Sequence, residues 1–263
     1  MPTKKRSNTK SKYDNFDNFL NNNPIPIPTD FNRSQKTFSI HDMKSINPMT
    51  RNQQRVFDLW EDDYNITLAG SAGTGKSLCT IYLALQEILG TIDNRKYDKL
   101  IIIRSAVASR DLGFLPGSLE EKMEVYEQPY MQIFDFLFKK KNQYKFMKEA
   151  GLVEFHSTAY LRGTTFDNCI IILDEAASLN YHEISTVITR VGTNAKIITI
   201  GDTKQNDLIY KKNDTSGFAK FLEISNRMPS MRNVYFNIQD VCRSGLVKEF
   251  LVADEQYDER NYG

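Results

Sequence analysis

Gly70-Ser71-Ala72-Gly73-Thr74-Gly75-Lys76-Ser77 is a complete phosphate-binding loop of the pattern G-x-x-x-x-G-K-[ST], and its flanks have the chemistry that the pattern needs. Asn65-Ile66-Thr67-Leu68-Ala69 leads into it as a strand, and the apolar run from Leu78 to Leu89 leads out as a helix. Gly70, Gly73 and Gly75 let backbone amides turn inward with no side chain in the way. With the N-terminus of the following helix, those amides make a concave anion site. Lys76 reaches the β- and γ-phosphates in such a loop, and the Ser77 hydroxyl holds Mg2+. A glycine-rich turn before an ordinary helix is the plain alternative, and the strand and helix on either side weigh against it.

A second motif complements the first. Ile170-Ile171-Ile172-Leu173-Asp174-Glu175 is a buried strand whose two carboxylates emerge at its C-terminal end, the edge where open parallel sheets bind ligands. Asp174 is expected to hold Mg2+ through a water, and Glu175 to orient and deprotonate the attacking water. Phosphoryl transfer needs little beyond in-line positioning and charge neutralisation. Gly201-Asp202-Thr203-Lys204-Gln205 follows another apolar strand, and Gln205 could reach the γ-phosphate or its water, with Asp202 in support. Arg243 and Arg190 are the candidates for an arginine finger, within the chain or across a subunit boundary. Gln53, with Asn52 and Gln54 beside it, lies on the helix ahead of the first strand and could read an adenine edge. ATP and Mg2+ are therefore the expected cofactors.

The remaining sequence bounds these readings. The chain has 263 residues, 40% hydrophobic, with a net charge of +1, so overall charge argues for no nucleic-acid partner. No stretch approaches the ~18 apolar residues of a membrane span, and Met1 to Lys12 is polar and basic, unlike a signal peptide. A cytoplasmic protein is expected. Cys79, Cys169 and Cys242 are widely spaced and odd in number, and are read as small buried hydrophobes rather than a disulfide or zinc framework.

Residues 1–36 read as a disordered basic tail, 37–253 as one domain and 254–263 as an acidic, frayed end. Helix chemistry spans about 50–62. Strand runs lie at 65–69, 99–103, 169–173, 196–200 and 233–236, with helical segments between most of them. That alternation predicts an α/β fold with a mostly parallel sheet flanked by helices. A long insertion at 118–150 opens on the capping box Ser118-Leu119-Glu120-Glu121, and Pro129 is expected to end or kink its helix. Lys139, Lys140, Lys141, Lys145 and Lys148 form either a phosphate-contacting surface or a solvated face.

Taken together, these stretches resemble the PhoH family of P-loop ATPases, related to the motor domains of superfamily 1 helicases. The resemblance covers roughly 50–253. It is carried by the loop at 70–77, Ile103-Arg104-Ser105-Ala106-Val107, Leu112-Gly113-Phe114-Leu115-Pro116-Gly117, Tyr160-Leu161-Arg162-Gly163-Thr164, Asp174-Glu175-Ala176, Thr189-Arg190-Val191-Gly192, Gly201 to Gln205, and Asp240-Val241-Cys242-Arg243. It implies a single RecA-like domain, ATP hydrolysis, and a homo-oligomer, most simply a hexameric ring. It also implies action on single-stranded RNA or DNA, with Arg104, Arg110 and Arg162 where related motors meet the strand. The other reading is a nucleotide-switched nucleic-acid-binding or assembly module with little turnover. The chain departs from the family pattern at Ala177, where Gln is usual, at Ser105 for Pro, and at Ser244-Gly245 for His-Pro. Its Asn/Lys-rich composition resembles phage-type members.

Overall fold

Ile and Leu runs too apolar for either face to meet water gather at the centre of a single sheet. The computed structural model describes residues 38–90, 96–105, 119–161, 163–202, 217–243 and 245–262. Among them, β1 (Asn65–Gly70), β2 (Lys99–Arg104), β3 (Val153–Ser157), β4 (Cys169–Leu173), β5 (Lys196–Gly201) and β6 (Met231–Phe236) pair in parallel throughout. They lie side by side in the order β3-β2-β4-β5-β1-β6. Seven α-helices are described: α1 (Arg51–Glu61), α2 (Lys76–Leu89), α3 (Leu119–Leu137), α4 (Gln143–Glu149), α5 (Tyr181–Ile188), α6 (Gly217–Ser225) and α7 (Gly245–Tyr262). This is the RecA-like α/β fold expected from the sequence.

Successive strand residues face opposite sides of a sheet, and here both sides are apolar. Leu100, Ile102, Ile170 and Ile172 enter a core covered by α1 to α4, while Ile101, Ile103, Ile171 and Leu173 enter a second one under α5 and α6. β5 stands between β1 and β4. The loop after β1 and the carboxylates after β4 therefore share one edge of the sheet, two interstrand spacings or about 10 Å apart.

α3 does not end at Pro129 but runs on to Leu137. An interior proline costs about 3 kcal/mol. Tyr130, Phe134 and Leu137 are buried on one face at i, i+4, i+7 spacing, and burying such side chains contributes ~1.5–3 kcal/mol each, which outweighs that cost. β3 lies outside the strands expected from sequence. The stretch from Asp254, expected to fray, is helical to Tyr262 as the end of α7. From Phe38 onward the chain forms one compact unit. No helix among the described residues is long and apolar enough to cross a membrane. The basic tail, the Ser118 capping position, and Arg110, Arg162 and Gln205 lie outside the described residues.

Candidate nucleotide site

The loop closes where β1 hands over to α2. Gly75, the N-cap of α2, has φ 81°, a left-handed conformation that glycine adopts without penalty. Lys76 folds back over the loop, its Nζ donating to Gly70 O at 2.8 Å, Ser71 O at 2.6 Å and Thr74 Oγ1 at 3.3 Å. Burial lowers the pKa of this amine, and Asp202, Asp174 and Glu175 oppose the shift. A buried ammonium satisfied by neutral carbonyls suits a site where phosphate oxygens can take their place. The glycine-lined loop, the amine and the α2 N-terminus thus fit the triphosphate of a nucleotide.

The carboxylates are set by β4 and its neighbour. Asp174 N donates to Ile103 O of β2 at 2.9 Å, which pins the strand end. Ser77 Oγ stands 3.5 and 3.4 Å from the two carboxylate oxygens of Asp174. A hydroxyl and a carboxylate facing each other are hard oxygen donors and fit Mg2+ with most of its water shell kept. The next residue, Glu175, is left-handed at φ 54°, and such strain in a non-glycine residue costs on the order of 1–3 kcal/mol and gathers at functional sites. Ser178 offers both N and Oγ to Glu175 O, at 3.0 and 2.7 Å, and so helps hold that turn. Burial raises the Glu175 pKa, and the Asp174 charge adds to the rise.

The other candidates separate by position. A Cβ on Gly73 would stand 2.9 Å from Arg243 Cγ, and Cys242 N donates to Gly73 O at 3.1 Å, so Arg243 lies against its own chain's loop. Arg190 is not brought there. Its NH1 donates to Thr164 O at 3.1 Å, and its neighbour Val191 bridges Phe166. Both contacts lie ahead of β4, a strand's length from Asp174. Arg104 turns to Glu175, with NH2 3.7 Å from Oε1. Gln53 is buried and its amide is engaged on both sides: Oε1 accepts from Met49 N at 2.7 Å, and Nε2 donates to Thr74 O at 2.9 Å. Here it ties α1 to the loop, and contact with a base would require those bonds to open.

Of the lysine run, Lys140 pairs with Asp42, Lys141 with Asp135 and Lys148 with Glu127, which favours the solvated face over a bare phosphate-contacting one. Cys79 and Cys169 are buried as expected, but Cys242 is exposed, because it follows the chain back across the loop surface. Tyr130 is the site residue that sequence reading missed. Its OH donates to Asp174 Oδ2 at 2.9 Å. Its place in the apolar stripe of α3 marks it as core, and nothing local signals where the hydroxyl ends.

A family model described as PhoH-like protein matches residues 45–255. A PhoH-like protein of Mycobacterium leprae (strain TN) is 31% identical over 223 residues, 84% of this chain and 61% of the relative. Protein PhoH2 of Bacillus subtilis (strain 168) is 36% identical over 200 residues, 74% of this chain and 44% of the relative. The matched stretch thus spans less than two thirds of either relative. The solved structure of the large terminase from a thermophilic bacteriophage, in complex with ADP, is similar at a TM-score of 0.46 and 12% identity, covering 82% of this chain and 51% of that one. The chain belongs to the PhoH-like family, and its site is that of a P-loop nucleotide-binding protein.

Proposed function

We propose that this PhoH-like protein is a Mg2+-dependent ATPase that acts on single-stranded RNA or DNA in the cytoplasm as a homo-oligomer. The observation that carries the ATPase reading is the approach of Ser77 Oγ to both oxygens of Asp174 beside the buried Lys76 amine. Bound ATP supplies the reactive phosphoryl group, and Mg2+ supplies charge at its oxygens. Lys76 and the loop amides orient the phosphates, and Ser77 and Asp174 hold the cation. Glu175 takes the proton of the attacking water, with Gln205 assigned to position that water. Arg243, lying on the loop, offers positive charge where negative charge builds up.

The nucleic-acid part rests on Arg104, Arg110 and Arg162 and on the family. Self-association draws support from α7, where Leu246 and Phe250 are 77% and 65% exposed. A second reading, a nucleotide-switched module with little turnover, is favoured by the Arg104–Glu175 pair, which engages the base. Phosphate release measured with and without Mg2+, and with and without single-stranded RNA or DNA, separates the two. Mg2+-dependent turnover that rises with nucleic acid supports the first, and tight nucleotide binding without turnover supports the second.

A further inference from the structure

Tyr130 belongs to none of the nucleotide motifs, yet its hydroxyl ends on the carboxylate at the centre of the site. The residue is 1% exposed. Its ring packs on Phe155 of β3 with centroids 5.8 Å apart, and its OH donates to Asp174 Oδ2 at 2.9 Å. The other oxygen, Oδ1, accepts from Glu175 N at 3.0 Å. A carboxylate's terminal torsion is soft when left alone. Beside the long approach of Ser77 Oγ to both oxygens, at 3.5 and 3.4 Å, each oxygen accepts one shorter hydrogen bond, and these two come from separate elements, the β4 turn and α3. Asp174 is thereby fixed facing Ser77.

Resting on the nucleotide reading above, we propose that Tyr130 is a positioning residue for the divalent cation. It holds the Asp174 carboxylate in the orientation that a hydrated Mg2+ requires, and it makes that orientation depend on the seating of α3. Groups that orient metal-binding side chains are commonly worth about 10–100-fold in metal affinity or activity. Because Asp174 would meet the cation through a water, the lower end, about tenfold, is expected here. The competing explanation is a core tyrosine that only needs a partner for its hydroxyl, and the two differ in what they do to Mg2+.

The test uses the full chain and a fluorescent ATP analogue, its affinity measured in excess EDTA and again across a Mg2+ titration. Tyr130→Phe keeps the ring and removes the hydroxyl. The expected result is an unchanged affinity in EDTA and a half-saturating Mg2+ concentration about tenfold higher. Adding Tyr130→Phe to Asp174→Asn should produce no further rise, because the two groups act through one contact. Phe155→Leu loosens the ring's packing but keeps the hydroxyl, and it should leave half-saturating Mg2+ where it was. An unchanged Mg2+ requirement in Tyr130→Phe would overturn the inference, as would an equal loss of affinity with and without Mg2+, or a rise in Phe155→Leu that matches Tyr130→Phe. If the unaltered chain bound no nucleotide in either condition, the nucleotide reading would fall first and this inference with it.

Discussion

Glu175 carries opposing influences that make its protonation measurable. Burial and the Asp174 charge raise its pKa above the ordinary 4.5, while Arg104 pulls it down. A general base works only when deprotonated. As pH falls, kcat/KM should therefore be lost through a midpoint above the ordinary carboxylate value, since that ratio reports the nucleotide-free enzyme in which the shift arises. Arg104→Ala removes the lowering influence and should move that limb to higher pH. A limb at or below 4.5, or one that Arg104→Ala leaves in place, would count against Glu175 as the base. Glu175→Gln should reduce hydrolysis by on the order of 10²–10⁴-fold and spare nucleotide binding, since the loop, Ser77 and Asp174 remain. Lys76→Ala should instead weaken binding itself, because its amine is the buried cation of the loop. Equal turnover by Glu175→Gln and the unaltered protein in a phosphate-release assay would sink the assignment.

Between elements, the tightest constraint is the backbone contact of β1 with β6. A Cβ on Gly70 would stand 1.9 Å from Phe236 O, and Gly70 sits at φ +129°. Gly70→Ala must push the two strands apart at the mouth of the site, at a cost on the order of 3 kcal/mol, read as a lower denaturation midpoint. Gly151→Ala is the control, with φ +74° but nothing within 4 Å of the added carbon. It should lose only about 1 kcal/mol. A smaller loss at Gly70 than at Gly151 would refute this account.

The same distinction between local and distant contacts explains what could be read from sequence. β2, β4 and β5 are legible as continuous apolar runs because both their faces are buried. β3, at the sheet edge, carries Glu154 and His156 half-buried, so its composition reads as loop. The phosphate loop and Asp174-Glu175 are legible because each is contiguous in sequence and adjoins an apolar strand. Tyr130 on Asp174, Arg104 on Glu175 and Arg243 on Gly73 are meetings between distant segments that only the sheet order creates.

At the scale of the whole molecule, the proposed oligomeric ATPase could draw its arginine finger from the same chain or from a neighbouring one. The described chain has one phosphate loop, and β6 is followed by a short 3-10 helix, Ile238–Asp240, that turns the chain back toward it. The return is held by hydrogen bonds at two places: Asn52 Nδ2 donates to Asp240 Oδ2 at 2.7 Å, and Cys242 N donates to Gly73 O at 3.1 Å. Arg243 follows directly, so its stem rests on the loop of its own chain, whereas Arg190 is anchored on Thr164 ahead of β4. An arginine supplied within the same chain needs no partner to complete the site, and removing one is worth on the order of 10³-fold in rate. Arg243→Ala should therefore lose turnover by that order whatever the oligomeric state. A mixture of Arg243→Ala and Glu175→Gln subunits should show no more activity than the sum of the two alone, because every site lacks one of its own residues. Turnover measured across mixing ratios, with light scattering to establish that mixed oligomers form, decides the point. Activity that peaks at intermediate ratios would place the working arginine in the neighbouring subunit and overturn the within-chain assignment.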